Sequence, residues 1–239
     1  MCRLLPAVTV MVRPIKQTRL AFTLFAGLAS FGVFACEPVA ERAELRNGVY
    51  CLDADVGLDS LPFYIYDNTT LDCRGHRIKD IPAAVTSAVV AWGDNIVVKN
   101  CVFDGFHSQL DFRDTTNYRI QDNLLINARS RSIVATGNHG LIARNVIRNP
   151  PSMGILVSSL TSTLGTLVAT AVVNNTVILG GASAPVTGIL TYSRGLVANN
   201  VVVLHPTPGQ GGQAIASSLA VTYRNLMVAA PGSHAAGLV

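Results

Sequence analysis

Asp104, His107, Asp111, Arg113 and Asp114 crowd into one short span of the chain, the densest titratable cluster in its regular part, and Arg129, Arg131 and His139 follow soon after. Carboxylates and an imidazole set beside guanidinium groups can move a proton next to an anion that the cations hold. Two carboxyl groups far enough apart to admit a water would instead serve inverting glycoside hydrolysis. Asp94 and Asp122 are the only other acids nearby in the regular region, so any such pair must come from Asp94, Asp104, Asp111, Asp114 and Asp122. Trp92 and Tyr192 offer aromatic surface on which sugar rings stack, with Arg113, Arg129 and Arg194 as polar neighbours. The candidate catalytic set is therefore Asp111, Arg113, Asp114, His107 and Arg131, and the candidate substrate-binding set is Trp92, Tyr192, Arg129 and Arg194. The Cys residues lack close pairs and the five His are scattered, so no metal site is legible.

The elements that must position these residues are written in a repeat. Ile120-Gln121-Asp122-Asn123-Leu124-Leu125-Ile126 returns around Asn145, Asn175, Asn200 and Asn225, at steps of 22, 30, 25 and 25 residues. Each copy has an aliphatic or β-branched residue, or a Thr, three places before the Asn and an aliphatic or Thr-led run after it. Val98 to Phe103 is an earlier copy with Cys101 in the Asn place. Self-similarity at twenty to thirty residues is the mark of a solenoid. Val- and Ile-rich runs separated by Asn or Gly are strands and turns, and no sustained helical period appears from Ala83 onward. A second strand precedes each Asn copy: Ala88–Trp92, Gln109–Arg113, Ser132–Thr136, Gly154–Ser158, Gly188–Tyr192 and Ala214–Ser218. One turn thus reads strand, bend, strand, Asn corner, strand, and stacked turns make three parallel sheets around a dry core. The repeated Asn turns inward, where its amide can bond the backbone and the Asn one rung away. Alternation places Val90, Asp111, Val134, Leu156, Leu190 and Ala216 in one outward row, with Trp92, Arg113, Thr136, Ser158, Tyr192 and Ser218 beside it.

From roughly Asn68 to Val239 this pattern resembles the right-handed parallel β-helix family, the pectate-lyase-like architecture with its asparagine ladder. Asn68 to Ile78 also looks like the opening rung of many secreted members. The resemblance implies an all-β, single-stranded right-handed parallel β-helix, with residues 36–66 as a short N-terminal cap. In lyases and epimerases of this architecture a base removes the proton beside a uronate carboxylate that a cation neutralises. By that analogy Arg113 or Arg131 would be base or clamp, with His107 or Asp111 as the alternative base. The hydrolase signatures of the family are missing, and no stacked Asp cluster marks the calcium site of the lyases, so no cofactor is expected and calcium has no recognisable site. Fold alone does not fix chemistry.

Residues 1–35 read as an export signal: Arg3, Arg13, Lys16 and Arg19 without an acid, then an apolar run from Leu20 to Ala35. The expected cleavage near Ala35 gives a secreted, periplasmic or cell-surface protein with no stable membrane span. Four of the 18 basic residues leave with that segment and all 14 acids stay, so the formal charge falls from +4 to zero. Nucleic acid is thereby excluded as a partner. The charges left are uneven, because Asp122 is the last acid and six Arg follow it. In a solenoid this becomes a dipolar rod whose acid-free half could attract an anionic polymer, the alternative being a Gly/Ala/Val-rich surface that merely lacks acids. Cys36, Cys51, Cys73 and Cys101 fit two disulfides in an exported chain. Cys73 and Cys101 fall near one corner of consecutive rungs, which suits a bridge and leaves Cys36 for Cys51. Alternatively, Cys73 and Cys101 continue the ladder as buried apolar side chains. Val39 to Arg46 has the composition of one or two helical turns.

Leu124, Ile126, Val146, Ile178, Val201, Val203 and Val228 form an outward apolar stripe, on which a homo-oligomer could pack. Long loops, Ser158 to Gly165 and Leu204 to Gly212, could wall a groove. Ser233 to Val239 resembles the first strand of a further rung, the expectation being a chain cut within the repeat. The functional expectation is an exported β-helix protein that binds, with or without processing, an acidic polysaccharide. The alternative is a non-catalytic surface or adhesion β-helix that contacts glycan or protein.

Overall fold

The computed structural model describes residues 36–39, 44–81, 85–159, 169–180, 185–205, 211–229 and 234–238. The expected export signal lies outside these residues, as do most of the Ser158–Gly165 loop and much of the Leu204–Gly212 loop.

All regular structure among the described residues is β, arranged as a parallel β-solenoid of three sheets. Sheet I holds the longest strands, among them Ser87–Asp94, Ser108–Thr116 and Arg131–Asn138. Sheet II holds those that lead into the Asn corner, Val97–Lys99, Arg119–Gln121 and Leu141–Ala143. Sheet III holds those that leave it, Val102–Asp104, Leu124–Ile126 and Val146–Arg148. The chain visits I, II and III in turn, and each strand pairs in parallel with its counterpart one rung away. Ile120 aligns with Val98 and Ile142, and Leu125 with Phe103 and Ile147.

Inward positions make columns of like side chains. Leu110, Ile133, Ile155, Ile189 and Ile215 line sheet I, Ile120, Ile142, Val172 and Val197 line sheet II, and Phe103, Leu125, Ile147, Val177 and Val202 line sheet III, all buried. β-branched side chains suit this arrangement because each packs on a copy of itself one rung away.

The Asn corner is held from within. Asn123 Nδ2 donates to Asn145 Oδ1 at 3.0 Å and to the Val98 carbonyl at 3.1 Å. Asn145 repeats the pattern on Asn175, Asn175 on Asn200, and Asn200 on Asn225, each at 3.0 Å. Each ladder oxygen from Asn123 to Asn225 also accepts the backbone N–H of the residue one rung earlier. The residue just before each ladder position, Asn100, Asp122, Arg144, Asn174, Asn199 and Arg224, sits at positive φ between 50° and 59°. Asn and Asp tolerate that conformation better than other side chains do. At the ladder's first position, Cys101 offers its N–H to Asn123 Oδ1 while its sulfur is joined to Cys73. A second disulfide joins Cys36 to Cys51.

The helical reading of Val39 to Arg46 is corrected at Glu44 and Leu45. Glu44–Leu45 is a strand paired with Tyr64 and Ile65, and residues 40–43 lie outside the described set. The segment has helical composition, but burying Leu45 against the rung above outweighs that weak local preference. Described parts of 36–66 thus supply strands to all three sheets.

Candidate functional site

Sheet I presents the candidate residues because its strands are long enough to carry two outward columns. Tyr64, Val90, Asp111, Val134, Leu156, Leu190 and Ala216 align in one. In the other, Trp92 aligns with Arg113 and Thr136 with Ser158. Between Arg113 and Thr115 the register slips by one residue. Asp114 is the extra residue, exposed, at φ 52°, with its N–H on Thr136 Oγ1 at 3.1 Å. Opposite this bulge Gly137 holds φ 144°, and a Cβ there would lie 1.9 Å from the Thr115 carbonyl oxygen, so the bend requires glycine.

Asp111 and Arg113 face each other. Arg113 Nε donates to Asp111 Oδ2 at 2.9 Å and Nη2 to the same oxygen at 2.5 Å. That hydrogen bond raises the guanidinium's pKa above its ordinary value, which favours the cation of the pair. The Arg113 guanidinium carbon lies 5.6 Å from the Trp92 ring centroid. On the preceding rung Tyr64 and Tyr66 stack on Trp92, each with centroids 5.8 Å away and interplanar angles of 25° and 21°. Arg46 closes the row with its guanidinium carbon 3.6 Å from the Tyr66 centroid. The row therefore runs cation, ring, ring, cation along the rod. Rings stacked this way present their edges outward, so Trp92 offers a rim beside the Arg113 fork and not an open indole face.

The other expected residues are dispersed. Tyr192 lies four rungs from Trp92, about 19 Å at the usual rung spacing, and is exposed. His107 is an exposed residue at the corner before the Ser108–Thr116 strand. Arg131 aligns with Ser108, so it stands three residues along the strand from the Asp111 level, roughly 10 Å away. Arg129 is engaged elsewhere. Its Nη1 meets Asp80 Oδ2 at 2.6 Å and its Nη2 donates to the Val85 carbonyl at 3.2 Å. The Asp80 carboxylate is nearly inaccessible, so this pair fastens one corner across two rungs. Arg194 borders a shallow groove with Thr170, Leu196, Leu219 and Val221. Among the expected catalytic residues only Asp111 and Arg113 are in contact, and Asp114 follows Arg113 on the bulge.

Sequence reasoning missed Tyr64, Tyr66 and Arg46, although the alternation in Phe63-Tyr64-Ile65-Tyr66 turns both tyrosines outward. It also missed a second, outer asparagine row at the corner between sheets I and II. Asn68 donates to Asn47 at 3.2 Å, Asn95 to Asn68 at 2.9 Å and Asn117 to Asn95 at 3.4 Å, all four at positive φ. Their steps of 21, 27 and 22 residues are as regular as those of the inner ladder. The apolar stripe of sheet III faces outward as alternation predicts, with Val102, Leu124, Val146, Thr176, Val201 and Leu226 in one aligned column.

Among the described residues no three His, Cys, Asp or Glu converge on a point that could hold a metal ion, and no helix is long and apolar enough to cross a membrane. No protein-family model, curated protein or solved structure matches this chain.

Proposed function

We propose that this chain is an exported right-handed β-helix of the pectate-lyase-like kind that binds an acidic polysaccharide along its side and leaves the polymer intact. The observation that carries the reading is the partition of charge along the rod. Asp53, Asp55, Asp72, Asp80, Asp104, Asp111 and Asp122 each face a basic side chain within 4 Å. Arg119, Arg131, Arg148 and Arg194 have no carboxylate partner among the described residues, and no acid follows Asp122. These guanidinium groups are spread around the rod, Arg131 on sheet I, Arg119 on sheet II and Arg148 on sheet III, and each can take a carboxylate of a polyuronate in a fork-to-fork contact.

Binding without cleavage is favoured by the fate of the proton-transfer candidates. Asp111 is occupied by Arg113, and His107 and Arg131 stand away from both. A base poised near neutrality needs its partners within hydrogen-bond reach.

The test pairs two readouts on one sample. Polygalacturonate should retard the protein in affinity electrophoresis, while the ultraviolet absorbance of an unsaturated sugar end stays flat over the same incubation. Growth of that absorbance, abolished in Asp111→Ala, would restore a lyase reading. Absence of retardation by any polyuronate would remove the proposal.

A further inference from the structure

On sheet II the outward column reads Val49, Thr70, Val97, Arg119, Leu141, Ala171, Leu196 and Val221. Arg119 is its one charged member, exposed and flanked in register by Val97 and Leu141. Alongside, at the corner between sheets I and II, run Asn95, Asn117 and His139, each at positive φ (59°, 54° and 54°). The two columns flank an open concavity of about 400 Å³ lined by Asn95, Val97, Asn117, Tyr118, Arg119, His139 and Leu141.

Its chemistry is specific. The outer asparagine row ends here: Asn117 Nδ2 is spent on Asn95 Oδ1, and Asn117 Oδ1 has no partner among the described residues. His139 takes the next place in the row, where an asparagine would have continued it. The hollow therefore offers a planar cation, an imidazole that donates an N–H, an unused amide oxygen that accepts a hydroxyl, and two aliphatic walls. Asp94 and Asp114, on the strands that lead into this corner, do not line it.

We infer that this concavity is a subsite for one uronic-acid residue, with the carboxylate on Arg119, a ring hydroxyl on Asn117 Oδ1, a second acceptor on His139 and the sugar's C–H face between Val97 and Leu141. A volume near 400 Å³ lies in the range of small-molecule sites. A neutral sugar would leave the guanidinium without its anion, so the subsite discriminates by charge. The inference rests on the polyuronate reading and specifies one place where a residue of that polymer sits.

The test is calorimetric titration of the full chain with trigalacturonate and with its methyl ester, using wild type, Arg119→Gln and His139→Asn. His139→Asn keeps a residue that tolerates the positive φ. Arg119→Gln is expected to weaken trigalacturonate about tenfold or more, as loss of a charge-assisted contact implies, without changing Tm. His139→Asn should weaken it less, and binding of the methyl ester should be equally weak in all three. If Arg119→Gln binds trigalacturonate as the wild type does while the wild type still binds polygalacturonate, the subsite is wrong and the broader reading stands. If the wild type binds neither, both fall.

Discussion

Asn145 and Asn175 are thirty positions apart in sequence, yet the amide of one donates to the side-chain oxygen of the other at 3.0 Å, both fully enclosed. The same Asn145 amide also donates to the Ile120 carbonyl at 2.9 Å, and its oxygen accepts the Asn123 N–H at 3.1 Å. Asn145→Ala would leave a buried N–H and a buried carbonyl without partners. At about 1–3 kcal/mol for each of the two orphaned groups, a loss of about 2–6 kcal/mol is expected. Asn225→Ala, where water reaches the side chain, should lose about 1 kcal/mol. Urea unfolding of the two variants checks the contrast, and equal losses would count against a ladder satisfied from within.

The ladder begins at a covalent bond. Cys73 and Cys101 close a loop with a sequence separation of 28, and the second bridge spans 15. On the chain-entropy relation, opening the longer loop removes about 3–4 kcal/mol. Cys73→Ala paired with Cys101→Ala should lower Tm by several degrees more than Cys36→Ala paired with Cys51→Ala, since the Cys101 corner also anchors Asn123. Calorimetric scans of the two double variants decide the order.

Tyr118 is fully enclosed, tilted against Phe112 with centroids 5.5 Å apart, and its hydroxyl sits 3.4 Å from Thr170 Oγ1. Burial pushes its pKa up to about 12, against a smaller opposing effect of the Thr170 hydrogen bond. A pKa raised in the folded state adds stability that is complete below the unfolded value, near 10, and is lost as pH climbs through the folded value. Stability should therefore fall between about pH 10 and pH 12. Tyr118→Phe should remove part of that fall at the expense of a weak hydrogen bond, about 0.5–1 kcal/mol at neutral pH. Denaturant titrations across this window test both signs.

The acid limb has a different origin. Arg144 binds Asp122 through two hydrogen bonds of 2.7 Å, which hold the carboxyl below its ordinary pKa. Asp72 is also lowered: burial opposes this, but hydrogen bonds from Asn100, the Arg74 N–H and Lys99 prevail. A depressed carboxylate contributes stability present above about pH 4 and lost as pH falls through the folded value. Asp122→Asn should flatten the acid limb and lower stability at pH 7 by less than about 1 kcal/mol, as an exposed pair implies. High salt should shrink the difference.

Much of the solenoid is legible in the sequence because its corners are chemically special and recur. Only a buried, self-pairing amide explains an Asn that keeps phase with flanking aliphatic residues, and strand alternation then assigns Asp111 and Arg113 to adjacent outward columns. The site is less legible. Arg129 clips to Asp80 across two rungs, a contact that depends on loop path and not on period. Trp92 gains its partners from Tyr64 and Tyr66, which lie before the first inner-ladder corner and so carry no Asn mark. The outer row of Asn47, Asn68, Asn95 and Asn117 was equally periodic, but its residues sit in turns, where asparagine is common for local reasons.

The salt dependence of polygalacturonate binding bears most directly on how the unpaired Arg side chains are used. Affinity should fall steadily as sodium chloride rises, methyl-esterified polymer should bind weakly at every salt concentration, and Arg131→Gln combined with Arg148→Gln should flatten the slope. Binding that ignores salt and esterification alike would contradict it.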